Sequence, residues 1–300
     1  MNVIIPDDVY VRKMKVLNKS IFLFLISASF LFGGSTAIAE ERPLSLGKHL
    51  FAQGNYDAAI TEYKRFLFFH PDDARMSEGY YNIGLAYRAQ GLWAEAVTSL
   101  RTATYLAAGD ETKSEYQLEL AVTLIAAQDY DLARLELIKV TMRAPSAQLY
   151  RRALFLQAVA YIYQFRWEDA RESLRNYTTD ERLDMLFNAA TDMPQKSTGL
   201  AKVLSSIFPG AGQIYVGNWK DGVNALLLNG ALGFLTVDAV LDGYYVDAAL
   251  WGGLIFWRYY RGNTFRAGRA AEQFNLQESR GAADTILQRL QEIVGTPLKP

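Results

Sequence analysis

The stretch YYNIGLAYRAQGLWAEA, residues 80–96, holds a pattern that the chain repeats three more times. Its last alanine belongs to a series of alanines spaced 37 residues apart, and an aromatic residue stands three positions before each of them. The alanines are Ala59, Ala96, Ala133 and Ala170, and the aromatic residues are Tyr56, Trp93, Tyr130 and Trp167. A fixed period of this kind indicates a solenoid, in which each unit packs only against its neighbours.

The spacing inside each unit predicts two antiparallel helices. Small residues such as Gly84 and Ala86 let helices approach closely, and Gly91 marks the turn between them. These residues resemble the tetratricopeptide repeat (TPR), whose usual period is about 34 residues. The resemblance implies an all-α solenoid of four TPR-like repeats over residues 40–190, although Phe165 replaces the turn glycine in the last repeat.

The resemblance also implies that the first helix of each repeat lines a concave groove. Carried over position by position, the predicted groove consists of Tyr81, Leu85, Arg88, Leu118, Val122, Ile125, Phe155, Val159, Ile162 and Tyr163. Some family members hold a peptide carboxylate with Lys and Asn, but apolar residues occupy those positions here. The surface therefore suits an apolar helix or an extended segment of a partner. A second interpretation stays open, in which the protein's own C-terminal part covers the groove.

Three uncharged runs follow Pro194, at residues 203–219, 222–237 and 248–257. Each is shorter than the ~20 residues of a complete membrane span. Aromatic residues cluster near the ends of the runs, as they do at membrane interfaces. We therefore predict a membrane-associated helical module at residues 199–275 and a C-terminal tail at residues 276–300. Asp238 is either an intramembrane polar residue or part of a helix cap at the interface.

The segment FPGAGQIYVG, residues 208–217, is the most distinctive motif of this module. It resembles the P-G-x-G-Q-x-Y-x-G box of small bacterial membrane domains built on a two-helix transmembrane hairpin. The matching residues are Pro209, Gly210, Gly212, Gln213, Tyr215 and Gly217. The resemblance implies a topology and no particular activity. The number of crossings stays open, because a hairpin returns the tail to its starting side whereas the tail's arginines favour the cytoplasm.

The N-terminus predicts export. Residues 21–32 form an apolar run that follows four basic residues and precedes Ala37-Ile38-Ala39. This order is typical of a secretory signal peptide, so residues 1–39 are predicted to be cleaved off. Translation from Met14 would give a more usual signal, which makes Met14 a candidate for the true start. The solenoid is then expected in a bacterial periplasm, attached to the inner membrane.

Composition restricts the chemistry. The 300 residues carry a net charge of −1, no cysteine and two histidines. Disulfides, thiolate metal sites and histidine-rich metal sites are therefore excluded. The near-zero charge gives no reason to expect a nucleic-acid partner. We expect no enzymatic activity, no cofactor and no small-molecule substrate.

The sequence thus predicts an exported, membrane-anchored adaptor that binds a protein or peptide partner in the cell envelope. Two alternatives remain. In the first, the protein is an accessory subunit of an envelope transport or insertion system, and its membrane module is the active part. In the second, the C-terminal helices cap the solenoid of a soluble periplasmic TPR protein.

Overall fold

The computed structural model describes residues 42–175 and 177–295. Helices hold 82% of these residues and no strand occurs among them, which confirms the all-α prediction. The segment predicted as a signal peptide, residues 1–39, lies outside the described residues. The described chain forms two compact units. The first contains the residues up to Phe187 and those from Ile286 onward, and the second spans Asn188–Thr285.

Four helix pairs build most of the first unit. They are α1 (Arg42–Ala52) with α2 (Tyr56–Phe69), α3 (Met76–Ala89) with α4 (Trp93–Leu106), α5 (Asp110–Ala126) with α6 (Tyr130–Arg143), and α7 (Ala147–Tyr163) with α8 (Trp167–Leu174). The second helix of every pair begins at the aromatic residue of the 37-residue pattern. Helix α9 (Glu181–Thr191) follows and continues into the second unit.

The repeated alanines lie where the helices of the solenoid pack. All four are completely buried, and so are the larger residues one turn later: Tyr63, Leu100, Leu137 and Leu174. Gly84 lies so close to α4 that a Cβ atom on it would be 2.6 Å from Cγ of Leu100. The residues that recur every 37 positions therefore form the tight contacts between helices, as expected for close-packed interiors.

The turn inside each pair also follows the 37-residue period. The residues at its tip have positive φ angles, namely Gly54 (78°), Gly91 (77°), Gln128 (66°) and Phe165 (57°). Glycine adopts this left-handed conformation readily, whereas other residues adopt it at a cost of roughly 1–2 kcal/mol. The third and fourth repeats therefore keep the turn geometry without glycine, at a local cost in stability.

The second unit contains an antiparallel apolar pair. Its elements are α10 (Thr198–Ile207), α11 (Ala211–Tyr215), α12 (Trp219–Leu241), α13 (Tyr245–Ala248), a π-helical segment (Ala249–Phe256) and α14 (Trp257–Gly295). Thr236 faces Gly252, and Gly233 faces Phe256, so the segment after the turn runs back along α12. We call residues 219–257 the apolar hairpin. Among the described helices, α12 is long and apolar enough to cross a membrane.

The end of α14 belongs to the first unit. Arg289 donates hydrogen bonds to both carboxylate oxygens of Asp180, from Nε at 3.2 Å and from a terminal nitrogen at 2.5 Å. These bonds lower the pKa of Asp180. The predicted tail at residues 276–300 begins within one continuous helix, which spans residues 257–295. Its last turns are part of the unit that holds the solenoid.

Candidate functional site

The ten residues of the predicted groove do not line an open surface. Seven of them are buried: Arg88, Leu118, Val122, Ile125, Phe155, Val159 and Ile162. The other three are half-buried: Tyr81, Leu85 and Tyr163. The physical reason is clearest in α5, which is buried at every position from Tyr116 to Ile125 and so has no open face. The prediction of an open groove is corrected here, because the chain itself covers these residues.

A buried ion pair lies among them. The guanidinium of Arg88 donates to Oε2 of Glu119 at 2.8 Å, and Arg152 approaches the other carboxylate oxygen at 3.7 Å. Arg88 and Glu119 are each less than a tenth exposed. Removing one partner of such a pair is destabilising, because it leaves the other charge buried without compensation. Arg88 was predicted as a groove residue, whereas Glu119 was missed, because no local sequence pattern distinguishes it.

Two tyrosines stack beside this pair. The ring centroids of Tyr81 and Tyr116 are 4.3 Å apart. Burial raises the pKa of Tyr81, and the carboxylate of Glu119 raises it further. Burial also raises the pKa of Tyr116 to about 12. Both phenols therefore stay protonated at neutral pH, and their rings serve packing between α3 and α5.

Three large apolar side chains of the solenoid are strongly exposed, and sequence reasoning missed them. Phe68 is 78% exposed, Tyr105 84% and Met142 79%. They stand 37 residues apart, each in the last turn of the second helix of its repeat. We call these three residues the apolar row. Single exposed apolar residues are common, but here three recur at equivalent positions of successive repeats. The 37-residue period was the signal that could have identified them.

The box in the second unit joins three helices at backbone contact. Gly210 has a φ of 97°, and a Cβ atom on it would lie 2.0 Å from the carbonyl oxygen of Gly222. A Cβ atom on Gly212 would lie equally close to the carbonyl oxygen of Ala201. Backbone atoms cannot rotate away as a side chain can. The two glycines therefore permit the close approach of α10, α11 and α12.

A chain of buried polar side chains completes this joint. Ser205 Oγ accepts a hydrogen bond from the backbone N–H of Gly212 at 3.0 Å and donates one to Oε1 of Gln213 at 2.8 Å. Gln213 Nε2 in turn donates to Oδ1 of Asn263 at 2.5 Å. All three side chains are buried, where polar groups need such partners. The chain of bonds ties α10, α11 and α14 together.

Tyr215 fixes the segment that enters α10. Its hydroxyl accepts a hydrogen bond from the N–H of Ser197 at 3.2 Å, and Lys196 Nζ lies 4.8 Å from its ring centroid. The side chain of Asn275 holds Lys196 as well, bonding its N–H at 2.7 Å and its carbonyl at 2.9 Å. Gly217, at a φ of 90°, ends the box, and Pro209 is half-buried at its start. These contacts give the box a structural role.

Asp238 lies near the C-terminal end of α12. It is exposed in the last turn of α12, and its backbone carbonyl accepts a hydrogen bond from the N–H of Asp242. No described cation lies within ion-pair distance of its carboxylate. Within residues 42–175 and 177–295, no group of three or more His, Asp or Glu side chains could hold a metal ion.

Comparison with protein families matches three segments, all in the first unit. A family model of the TPR repeat matches residues 47–91, and a second, described as the tetratricopeptide repeat, matches residues 78–106 and 152–180. A comparison with curated proteins finds no match. The matched segments include the first, second and fourth helix pairs, whose buried alanines and left-handed turns share one 37-residue register. The chain therefore contains tetratricopeptide repeats, as its residue pattern predicts.

Proposed function

We propose that the protein is an exported, membrane-anchored adaptor without enzymatic activity, whose solenoid binds a protein partner in the bacterial cell envelope. Stacked helical repeats present extended surfaces to partners. The observation that carries the proposal is the apolar row, which repeats on three successive units of a TPR solenoid. The buried groove residues leave this row as the surface that a partner would contact.

The chemistry of the row suits a protein partner. Aromatic residues and methionine are enriched at the centre of protein interfaces, where they fill apolar pockets of the partner. Met142 adds an unbranched, adaptable side chain beside the two aromatic ones. A partner that contacts several repeats at once would bury Phe68, Tyr105 and Met142 together.

Site-specific photo-crosslinking tests the row in the native host. A photoreactive amino acid at Phe68, Tyr105 or Met142 should give the same adduct from each position. Gln148 and Glu172 are exposed polar positions of the same unit and serve as matched controls, from which no adduct is expected. Adducts from the control positions alone, or from no position, would contradict a partner site at the row.

Membrane attachment is supported by the side chains of the apolar hairpin. Helix α12 exposes Leu227, Phe234 and Leu241, and the returning segment exposes Leu254 and Trp257. In water, exposed apolar area of this kind costs about 25 cal/mol per Å². Contact with lipid would remove that cost. The resemblance of the box to membrane hairpin domains supports the same proposal.

The placement of the tail supports an even number of crossings. The last turns of α14 belong to the same compact unit as the solenoid, so a hairpin that enters the membrane must leave it on the solenoid's side. We place that side in the periplasm, with the turn at Asp242–Tyr244 facing the cytoplasm. The arginines after the hairpin then lie on the periplasmic side, against the usual preference for the cytoplasm.

Fractionation of the native host tests the anchor. After an alkaline wash, the protein should stay with the inner membrane. Release by the wash would favour the alternative of a soluble periplasmic protein. An Asp238→Asn variant distinguishes the adaptor from the transport alternative. The adaptor should keep both its membrane attachment and its adducts at the apolar row, whereas the transport alternative predicts a loss of function.

A further inference from the structure

The two ends of the apolar hairpin carry opposite charge. Its turn is acidic, with Asp238, Asp242 and Asp247 and no basic residue between positions 221 and 257. Its base is basic, and we call the six cationic residues there the basal collar: Lys202, Lys220, Arg258, Arg261, Arg266 and Arg269. All six are exposed.

The contacts of the box bring the collar residues to one end of the second unit. The stem of Lys202 lies against α14, where a Cβ atom on Gly268 would be 2.3 Å from its Cε. The contact between Gly210 and Gly222 holds the start of α12, with Lys220, at the same joint. The four arginines follow within 12 residues of α14, which is about 18 Å of helix. The collar residues are therefore drawn from three helices that meet at the box.

The collar charges are not neutralised by the residues that the structure describes. None of the six forms an ion pair with a carboxylate of the described residues. Asp221 is the acidic residue beside Lys220, and its carboxylate accepts a hydrogen bond from the side chain of Asn218 at 2.6 Å. A cluster of unpaired cations attracts anions, and arginine binds phosphate oxygens especially well.

Exposed aromatic side chains adjoin the collar residues. Trp219, Trp257 and Tyr259 are exposed next to collar residues, and Lys220 and Arg269 lie within 6 Å of the rings of Trp219 and Phe265. Tryptophan and tyrosine prefer the headgroup layer of a membrane. Basic residues beside an apolar segment recognise anionic lipids.

We propose that the basal collar binds the phosphate groups of anionic membrane lipids, and so sets the depth of the apolar hairpin. Because the apolar surface of the hairpin adjoins the collar, a lipid, which has both a phosphate group and an apolar tail, is the source of phosphate that fits both. The inference rests on the proposed membrane attachment and adds the lipid class to it. It also gives the arginines a function on the solenoid's side of the membrane, because lipid phosphates there would neutralise them.

Quenching of tryptophan by brominated lipids tests the proposal. The full chain is reconstituted in phosphatidylcholine vesicles that contain either brominated phosphatidylcholine or brominated phosphatidylglycerol. Trp219 and Trp257 adjoin the collar and report the lipid in contact with it. The protein should prefer phosphatidylglycerol roughly fivefold or more, since each basic residue near an anionic surface contributes ~1 kcal/mol.

Two triple variants each remove three positive charges, one from the collar and the other from the solenoid. Arg258→Gln, Arg261→Gln and Arg266→Gln together should lower the preference roughly fivefold or more, and Lys202, Lys220 and Arg269 should retain the rest. Arg101→Gln, Arg151→Gln and Arg182→Gln, at exposed positions of the solenoid, should leave it unchanged. Equal quenching of the wild type by both lipids would overturn the collar but leave the anchor standing. No quenching by either lipid would overturn the anchor, and with it the collar. An equal loss in both triple variants would also overturn the collar.

Discussion

The solenoid and the box both depend on residues without bulky side chains, yet they use them differently. In the solenoid, Ala59 and its equivalents are buried in every repeat, and neighbouring helices approach through side chains. In the box, Gly210 and Gly212 bring backbone against backbone. Side chains can adjust to a larger neighbour, whereas a backbone carbonyl cannot. The repeats should therefore tolerate small changes that the box does not.

The largest expected effect lies in the solenoid, where it comes from a buried charge and not from the space around a small residue. Glu119→Gln leaves Arg88 buried without a carboxylate, so we expect the free energy of unfolding to fall by about 3–5 kcal/mol. Thermal and urea unfolding of the first unit, followed by circular dichroism in detergent, measures it. Glu172→Gln is the control, because its pair with Arg175 is exposed and should change stability by less than about 1 kcal/mol. Equal effects of the two variants would contradict the role assigned to Glu119.

The box is the next test. Gly212→Ala forces a Cβ atom against the carbonyl oxygen of Ala201, so we expect the second unit to lose about 2–3 kcal/mol. Gly230→Ala is the matched control, since nothing lies within 4 Å of the added atom on α12. Thermal unfolding in detergent compares the two variants. If Gly212→Ala were as stable as Gly230→Ala, the backbone contact would not hold the helices together.

The turns of the repeats give an effect of the opposite sign. Gln128→Gly should stabilise the solenoid by about 1 kcal/mol, because glycine adopts the left-handed φ of 66° without strain. Gly91→Ala, at the equivalent turn, should destabilise it by a similar amount. Urea unfolding of both variants tests the equivalence of the turns. Two changes of the same sign would contradict it.

The smallest effect concerns the end of α14. Asp180→Asn removes the charge that Arg289 binds, and should lower stability at pH 7 by about 1 kcal/mol. The folded-state pKa of Asp180 is lowered, so the pair stabilises the fold above the ordinary pKa of aspartate and loses this contribution as the pH falls through the lowered value. The difference between wild type and variant should therefore shrink below about pH 4. A difference that grows on acidification would contradict the ion pair.

The fold was largely predictable because the packing residues of the repeat recur at one spacing. Each alanine, aromatic and turn residue is visible within its own 37-residue unit. The predicted groove failed because the burial of α5 depends on the neighbouring helices that pack on it, which the pattern within one repeat does not show. Glu119, which partners Arg88 across 31 positions, was missed for the same reason.

The box, too, could be predicted only in part from the sequence. Its own residues were predictable from a short motif, but their partners were not. Gln213 bonds Asn263, which is 50 positions later, and Lys196 bonds Asn275, which is 79 positions later. The apolar row differs from the box. Its 37-residue spacing was visible in the sequence, and only the exposure of its side chains had to come from the structure.

Cysteine accessibility tests the central claim most directly, because the natural chain has no cysteine. Single cysteines are introduced at three exposed positions, as Gln148→Cys in the solenoid, Gln288→Cys near the end of α14, and Asp242→Cys at the turn of the hairpin. Spheroplasts of the native host are treated with a membrane-impermeant maleimide. We predict labelling at positions 148 and 288 in intact spheroplasts, and labelling at position 242 only after lysis. Opposite labelling of 148 and 288, or labelling of all three residues under the same condition, would contradict a membrane-anchored adaptor with its solenoid in the periplasm.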